Sequence, residues 1–109
     1  MKIPKRFKLM GRTVEVVEDP RLMQDHTWVG SAGYSEDKIR LQPRSEVYAA
    51  SDSKLEQTFC HEFAHFLTYH AGGTINHMLK DGGYIHHNEE FVDLLGSLIH
   101  QALSTMEYK

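Results

Sequence analysis

The sequence predicts an α+β domain in which a small N-terminal sheet, antiparallel or mixed, packs on two C-terminal helices. Short apolar and β-branched runs separated by turn residues fill the first half of the chain. Two longer segments with apolar residues at three- and four-residue steps fill the second half. Because 109 residues suit one domain, we expect residues 1–109 to form a single unit. Its β-rich region is expected at about 5–43 and its helices at about 53–71 and 88–106.

The β-rich region contains several short strand patterns. Strands are expected at residues 7–9 and 14–17, joined by a tight turn, and a weaker, glycine-containing strand over residues 28–34. Trp28, at the start of this weaker strand, is expected to be a core anchor. Residues 39–41 form a short strand with a charged residue on one face, which favours a place at the edge of the sheet.

The first helix is expected to begin at a capping-box pair, Ser53 and Glu56, and to end at Gly72-Gly73. Its apolar side chains share one face. These are Leu55, Phe59, Phe63 and Phe66.

The second helix is expected to begin after Asn88, a residue type that caps helices well. Its predicted apolar stripe consists of Phe91, Leu94, Leu95, Leu98, Ile99 and Ala102. Each helix has an apolar face that must be covered, so we expect the two helices to pack on each other and on one face of the sheet.

Composition narrows the function classes. With a formal charge of −3 the chain has no basic footprint for nucleic acid. No segment approaches the roughly 20 apolar residues of a membrane span, and the N-terminal residues do not have the pattern of a signal peptide. A cytoplasmic location is therefore expected, with neither nucleic acid nor membrane as a partner. The single cysteine, Cys60, is expected to be a small buried apolar residue.

The strongest functional signal is the segment His61-Glu62-Phe63-Ala64-His65. Two histidines four residues apart on a helix lie on one face, at a spacing that suits a single Zn²⁺. On a helical wheel both lie opposite the aromatic face, and Glu62 lies between the two faces. This H-E-x-x-H pattern predicts two zinc ligands and a general base that takes a proton from water.

A catalytic zinc site needs a third protein ligand, and the candidates follow the first helix. They are His77, His86, His87, Glu89 and Glu90. Glu89 is favoured because Asp93 lies four residues later on the same face and could hydrogen-bond a ligating imidazole. Glu90 and His87 remain alternatives. Tyr84 and His86 are further candidates, as donors that stabilise an oxyanion.

These segments resemble a known class. His61-Glu62-Phe63-Ala64-His65, followed by Asn88-Glu89-Glu90-Phe91-Val92-Asp93, looks like a gluzincin, the class of zinc metallopeptidases with H-E-x-x-H and a downstream glutamate. The stretch through residues 94–103 is similar to short predicted metallopeptidases encoded by phages and prophages. The resemblance covers about residues 30–105.

The resemblance implies a minimal zincin fold, a peptide or protein substrate that adds to a sheet edge beside the first helix, and host cytoplasm as the location if a phage encodes the chain. His86-His87 resembles instead the SprT-like class, in which the third ligand is histidine. The small size favours a narrow substrate or a partner that completes the cleft. A third alternative is a non-catalytic, zinc-bearing binding module or phage accessory factor.

Overall fold

A computed structural model describes residues 1–75 and 88–108, apart from the side chains of residues 73–75. The elements within this part of the chain follow one another as β1 (Arg6–Leu9), β2 (Arg12–Glu18), α1 (Leu22–His26), β3 (Gly30–Gly33), β4 (Lys38–Leu41), α2 (Asp52–Ile75) and α3 (Glu89–Thr105). The predicted α+β class is confirmed, and the sheet is mixed. None of the helices described is long and apolar enough to cross a membrane.

The four strands lie in the order β1-β2-β4-β3. β1 and β2 form an antiparallel hairpin whose two turn residues, Met10 and Gly11, have positive φ angles of 53° and 76°, as tight hairpin turns require. β4 pairs parallel with β2 and antiparallel with β3. The prediction that residues 39–41 form an edge strand is therefore wrong.

The position of β4 has a simple physical reason. Ile39 and Leu41 alternate toward the core and are 0% and 7% exposed, which is the burial of a central strand. Arg40 on the opposite face forms ion pairs with Glu36 and Asp19 at the sheet surface. A charged residue of this kind can therefore lie in a central strand as well as in an edge strand. The edge strand nearest the helices is β3.

α2 begins one residue earlier than predicted, with Ser51 as its cap. The Ser51 hydroxyl accepts a hydrogen bond from the Lys54 backbone N–H at 3.1 Å, which satisfies a free donor of the first turn. Ser53 lies inside that turn and accepts instead from the Gln57 side chain. Since Glu56 pairs with His100 of α3 at 2.9 Å, the capping box proposed for Ser53 and Glu56 is wrong. The helix also continues past Gly72-Gly73 to Ile75.

The aromatic face of α2 packs on the sheet as predicted. Phe59 and Phe66 are 3% and 0% exposed. Phe7 of β1 packs edge-on against Phe63, with ring centroids 4.9 Å apart. Because this face is buried, the opposite flank of α2, which carries His61 and His65, is left for α3 and the cleft.

α3 begins after Asn88, whose side chain accepts from the Phe91 N–H at 3.1 Å, so the predicted cap is confirmed. Its apolar stripe is only partly correct. Val92 and Gly96 are buried, whereas Phe91, Leu94 and Leu98 are 40%, 58% and 53% exposed. The difference arises because α3 packs on α2 along the side that carries Gly96. A helical wheel that ranks residues by hydrophobicity does not identify a glycine as part of the buried face.

Candidate metal centre

His61, His65 and Glu89 come together between α2 and α3. The Nε2 atom of His61 lies 3.2 Å from Oε2 of Glu89, and Nε2 of His65 lies 3.0 Å from Oε1. The two rings are 4.9 Å apart at an angle of 77°. One ligand atom from each residue lies within 4.8 Å of the other two. Both imidazoles thus direct the same ring nitrogen toward one carboxylate.

These distances suit a tetrahedral zinc site. With Zn–N bonds of ~2.0–2.1 Å and Zn–O bonds of similar length, adjacent ligand atoms lie about 3.4 Å apart. The 3.2 and 3.0 Å separations, each to a different oxygen of the Glu89 carboxylate, are close to that edge length. Two nitrogens and one carboxylate oxygen form a donor set that zinc uses in catalytic sites, and they leave one tetrahedral position open.

Asp93 lies one turn after Glu89 and approaches the other nitrogen of His61. Its Oδ1 atom is 3.4 Å from His61 Nδ1. A carboxylate on Nδ1 favours the tautomer that carries its proton there and leaves Nε2 free to bind a metal. A carboxylate four residues after the third ligand, placed beside a ligating imidazole, is the feature that favours Glu89 over Glu90.

The carboxyl group of Glu62 lies against the edge strand and is well buried, with Glu62 7% exposed. A Cβ atom added at Gly30 would lie 3.0 Å from Glu62 Oε2 and 2.8 Å from Thr58 Cγ2. Only glycine at position 30 leaves room for this side chain beside β3. Burial, followed by the negative charge of Glu89, raises the pKa of Glu62 to about 8.

The site concentrates negative charge. Glu62, Glu89 and Asp93 all line the cavities beside His61. Within residues 1–75 and 88–108, no lysine or arginine is within ion-pair distance of these three carboxylates. Grouped carboxylates are stabilised by a nearby cation. The negative charge of the site therefore suits a divalent metal ion, as do the distances between its ligand atoms.

Gly96 sets how closely α3 approaches the histidine helix. A Cβ atom added there would lie 2.9 Å from His61 Cα, 3.0 Å from His61 N and 3.1 Å from Cys60 O. All three are backbone atoms, so the two helices cross in direct contact at the first histidine. This crossing, two turns after Glu89, brings the start of α3 within reach of both imidazoles.

The remaining predicted site residues fall into two groups. Glu90 is exposed and lies outside the cluster of His61, His65 and Glu89. The structure thus distinguishes the two glutamates, which a helical wheel does not. The other candidates lie outside the described residues. These are His77, Tyr84, His86 and His87.

Two cavities meet at His61 and Glu62. One, of about 280 Å³, runs toward the start of α2, and the other, of about 410 Å³, runs past His65 and Glu89. Both are lined by Trp28, which is 50% exposed and stacks on His26 with ring centroids 4.6 Å apart. The expectation that Trp28 anchors the core is wrong, because the turn after α1 holds it at the rim of the cleft.

Gly30 and Gly96 were not among the predicted site residues. A glycine inside a strand or a helix is itself a signal for close approach of another chain segment, and that signal was available at both positions. By contrast, Cys60 behaves as predicted. It is 0% exposed, and burial raises the pKa of its thiol to about 11.

In comparisons with known proteins, neither a protein-family model, nor a curated protein, nor a solved structure matched this chain.

Proposed function

We propose that this protein is a zinc-dependent peptidase with a gluzincin-like ligand set, and that Glu62 is its general base. The observation that carries the proposal is the convergence of His61 Nε2 and His65 Nε2 on the Glu89 carboxylate, at 3.2 Å from its Oε2 and 3.0 Å from its Oε1 respectively. The buried carboxyl group of Glu62 lies beside them. Zinc held by these three residues would polarise a substrate carbonyl and lower the pKa of a water molecule.

The protein side chains account for the proton transfers of peptide hydrolysis. Glu62 accepts the proton that the attacking water loses and then donates it to the nitrogen of the leaving amine. The remaining hydroxyl group bonds to the carbonyl carbon as the C–N bond breaks. Asp93, 3.4 Å from His61 Nδ1, holds that imidazole in the tautomer suited to metal binding.

The edge strand supplies a route for the substrate. β3 pairs with β4 on one side, and residues of β3 line the cavity beside His65 and Glu89 on the other. An extended peptide can hydrogen-bond to such an edge and cross the site. Small residues in this strand (Gly30, Ser31 and Ala32) keep the strand close to the reacting groups.

The test is the Glu62→Gln variant, with Glu90→Gln as its matched control. Glu62→Gln is expected to bind one zinc ion per chain and to lose at least about 10²-fold in kcat, the range for removal of a general base. Glu90→Gln is expected to keep both properties. Zinc content is measured by elemental analysis, and hydrolysis by mass spectrometry of a peptide library. Turnover by Glu62→Gln at the wild-type rate contradicts the mechanism.

The alternative is a zinc-bearing module that binds a partner without hydrolysis. It is favoured by the exposed apolar side chains of Phe91, Leu94 and Leu98 on α3, since exposed apolar patches commonly mark protein contacts. Stoichiometric zinc with no cleavage of any library peptide supports this alternative over the peptidase.

A further inference from the structure

The 280 Å³ cavity beside Glu62 has a composition of its own. It lies between the Trp28–Gly30 segment, the first half of α2 and the middle of α3. Polar residues line much of it: Lys54, Gln57, Thr58, Asp93 and Ser97. Since it opens directly onto His61 and Glu62, a peptide that reaches the proposed metal centre would place one side chain in it.

Charge is distributed unevenly along this cavity. Its carboxylates, Glu62 and Asp93, lie at the His61 end, where Asp93 is 3.4 Å from an imidazole nitrogen. Lys54 lies at the opposite end, in the first turn of α2. Within the described part of the chain, the Lys54 ammonium group forms no ion pair or side-chain hydrogen bond. The end of the cavity farther from the proposed metal therefore carries an exposed lysine that is paired with no carboxylate of the described residues.

One wall of the cavity is the Trp28 ring. His26 stacks on one face of this ring at 4.6 Å. The intervening Thr27 has a φ of 61°, a left-handed conformation that is unfavourable for a β-branched residue. Thr27 is the left-handed C-cap of α1, and the chain leaves that helix with the half-exposed Trp28 at the cavity.

The spacing between the two ends fits one extended side chain. Lys54 precedes His61 by seven residues, which corresponds to about 10.5 Å along a helix axis. A flexible lysine side chain and a glutamate side chain of a substrate, extended toward each other, span a gap of this order. The methylene groups of the substrate side chain would then lie against Trp28.

We propose that this cavity is a specificity subsite for an acidic residue next to the scissile bond, with Lys54 as the charge partner and Trp28 as the wall. The proposal rests on the proposed peptidase function. A basic substrate residue is disfavoured because its charge would meet Lys54, whereas Asp93 is directed at His61.

The experiment measures cleavage of a peptide series by the zinc-loaded protein. A sequence cleaved by the wild type is first found in a peptide library, and each position flanking the bond is then varied among Glu, Gln, Lys and Ala. At one flanking position we expect kcat/KM to be at least tenfold higher for Glu than for Gln or Lys. In Lys54→Glu the Lys peptide should become the preferred member of the series. Lys8→Glu, an equivalent change at an exposed residue of β1, should retain the wild-type preference.

The Lys54→Glu variant is expected to fold, because an acidic residue is favourable in the first turn of a helix. Wild-type cleavage without a preference for Glu, or an unchanged preference in Lys54→Glu, overturns the subsite. Fluorescence anisotropy provides a readout that needs neither hydrolysis nor a known cleavage site: zinc-loaded Glu62→Gln is titrated with four alanine-rich peptides that carry Glu, Gln, Lys or Ala at one central position. Lys54-dependent binding of the Glu peptide without cleavage by the wild type upholds the subsite and refutes the peptidase. Equal binding of all four peptides to Glu62→Gln overturns the subsite whether or not cleavage occurs.

Discussion

Replacement of Gly96 by alanine tests whether direct contact between the two helices positions the proposed metal ligands. The added methyl group would lie 2.9 to 3.1 Å from three backbone atoms of α2, whereas ordinary contacts of this kind are 3.4–4 Å. Backbone atoms cannot rotate out of the way, so α3 must move by roughly 0.5–1 Å, the difference between these distances. Glu89 is carried on the same helix and moves with it.

Two free-energy terms of opposite sign decide the effect on stability. Alanine is a better helix former than glycine by up to about 1 kcal/mol. Overpacking costs typically ~1–3 kcal/mol, and three simultaneous backbone contacts favour the upper part of that range. We therefore expect Gly96→Ala to lower the free energy of unfolding by about 1–2 kcal/mol. It should also lower zinc affinity by about tenfold or more, because the displaced Glu89 no longer matches metal–ligand bonds of ~2.0–2.2 Å.

The assay combines urea denaturation of the metal-free protein with a zinc titration against a chromophoric chelator. Ser104→Ala, at an exposed position near the end of the same helix, serves as the control and should change stability by less than about 0.5 kcal/mol. A Gly96→Ala variant that is more stable than the wild type and binds zinc equally well would show that helix propensity outweighs the close contact at Gly96.

Three further predictions concern the site and its scaffold. In equilibrium dialysis, Glu89→Ala should lower zinc affinity by at least about a hundredfold and Glu90→Ala by less than threefold. Comparable losses for both variants would show that Glu89 is not a zinc ligand. In the metal-free protein the pKa of Glu62 is raised to about 8, so the folded state retains a proton that the unfolded state loses. The free energy of unfolding should thus fall by a few kcal/mol between about pH 4.5 and pH 8, and less so in Glu62→Gln; denaturation curves with equal pH dependence would contradict this. Ser51→Ala should cost about 1 kcal/mol through loss of the helix cap, whereas Ser53→Ala should cost less. Thermal melts compare the stabilities of the two variants. A larger loss for Ser53→Ala would indicate that Ser53, and not Ser51, caps the helix.

Parts of the candidate site could be predicted from sequence because they depend on local helix geometry. His61 and His65 share a face through a four-residue spacing, and the same spacing relates Glu89 to Asp93. Asn88 begins α3 by accepting a hydrogen bond within its own turn, an interaction that does not depend on the rest of the fold. The structure places Glu89 and Asp93 beside His61. Zinc binding at this cluster remains a prediction.

Other parts could not be predicted because they depend on contacts distant in sequence. β4 is central because β2 pairs with it across the intervening α1 and β3, and no local pattern specifies that pairing. The buried face of α3 is determined by the approach of Gly96 to the α2 backbone, so hydrophobicity alone selected the wrong side for Leu94 and Leu98. Trp28 follows Thr27, the left-handed C-cap of α1, and is half-exposed; a β-branched residue gives no indication of a positive φ.

The zinc ligands can be identified directly in a crystal structure of the zinc-loaded protein, with anomalous difference maps recorded on both sides of the zinc absorption edge. We predict one strong peak that disappears below the edge, bounded by Nε2 of His61, Nε2 of His65 and a Glu89 oxygen at about 2.0–2.2 Å. Asp93 should remain on Nδ1 of His61. A peak elsewhere, coordination by His87 in place of Glu89, or no peak in a crystal grown with excess zinc would show that these three residues do not form a zinc site.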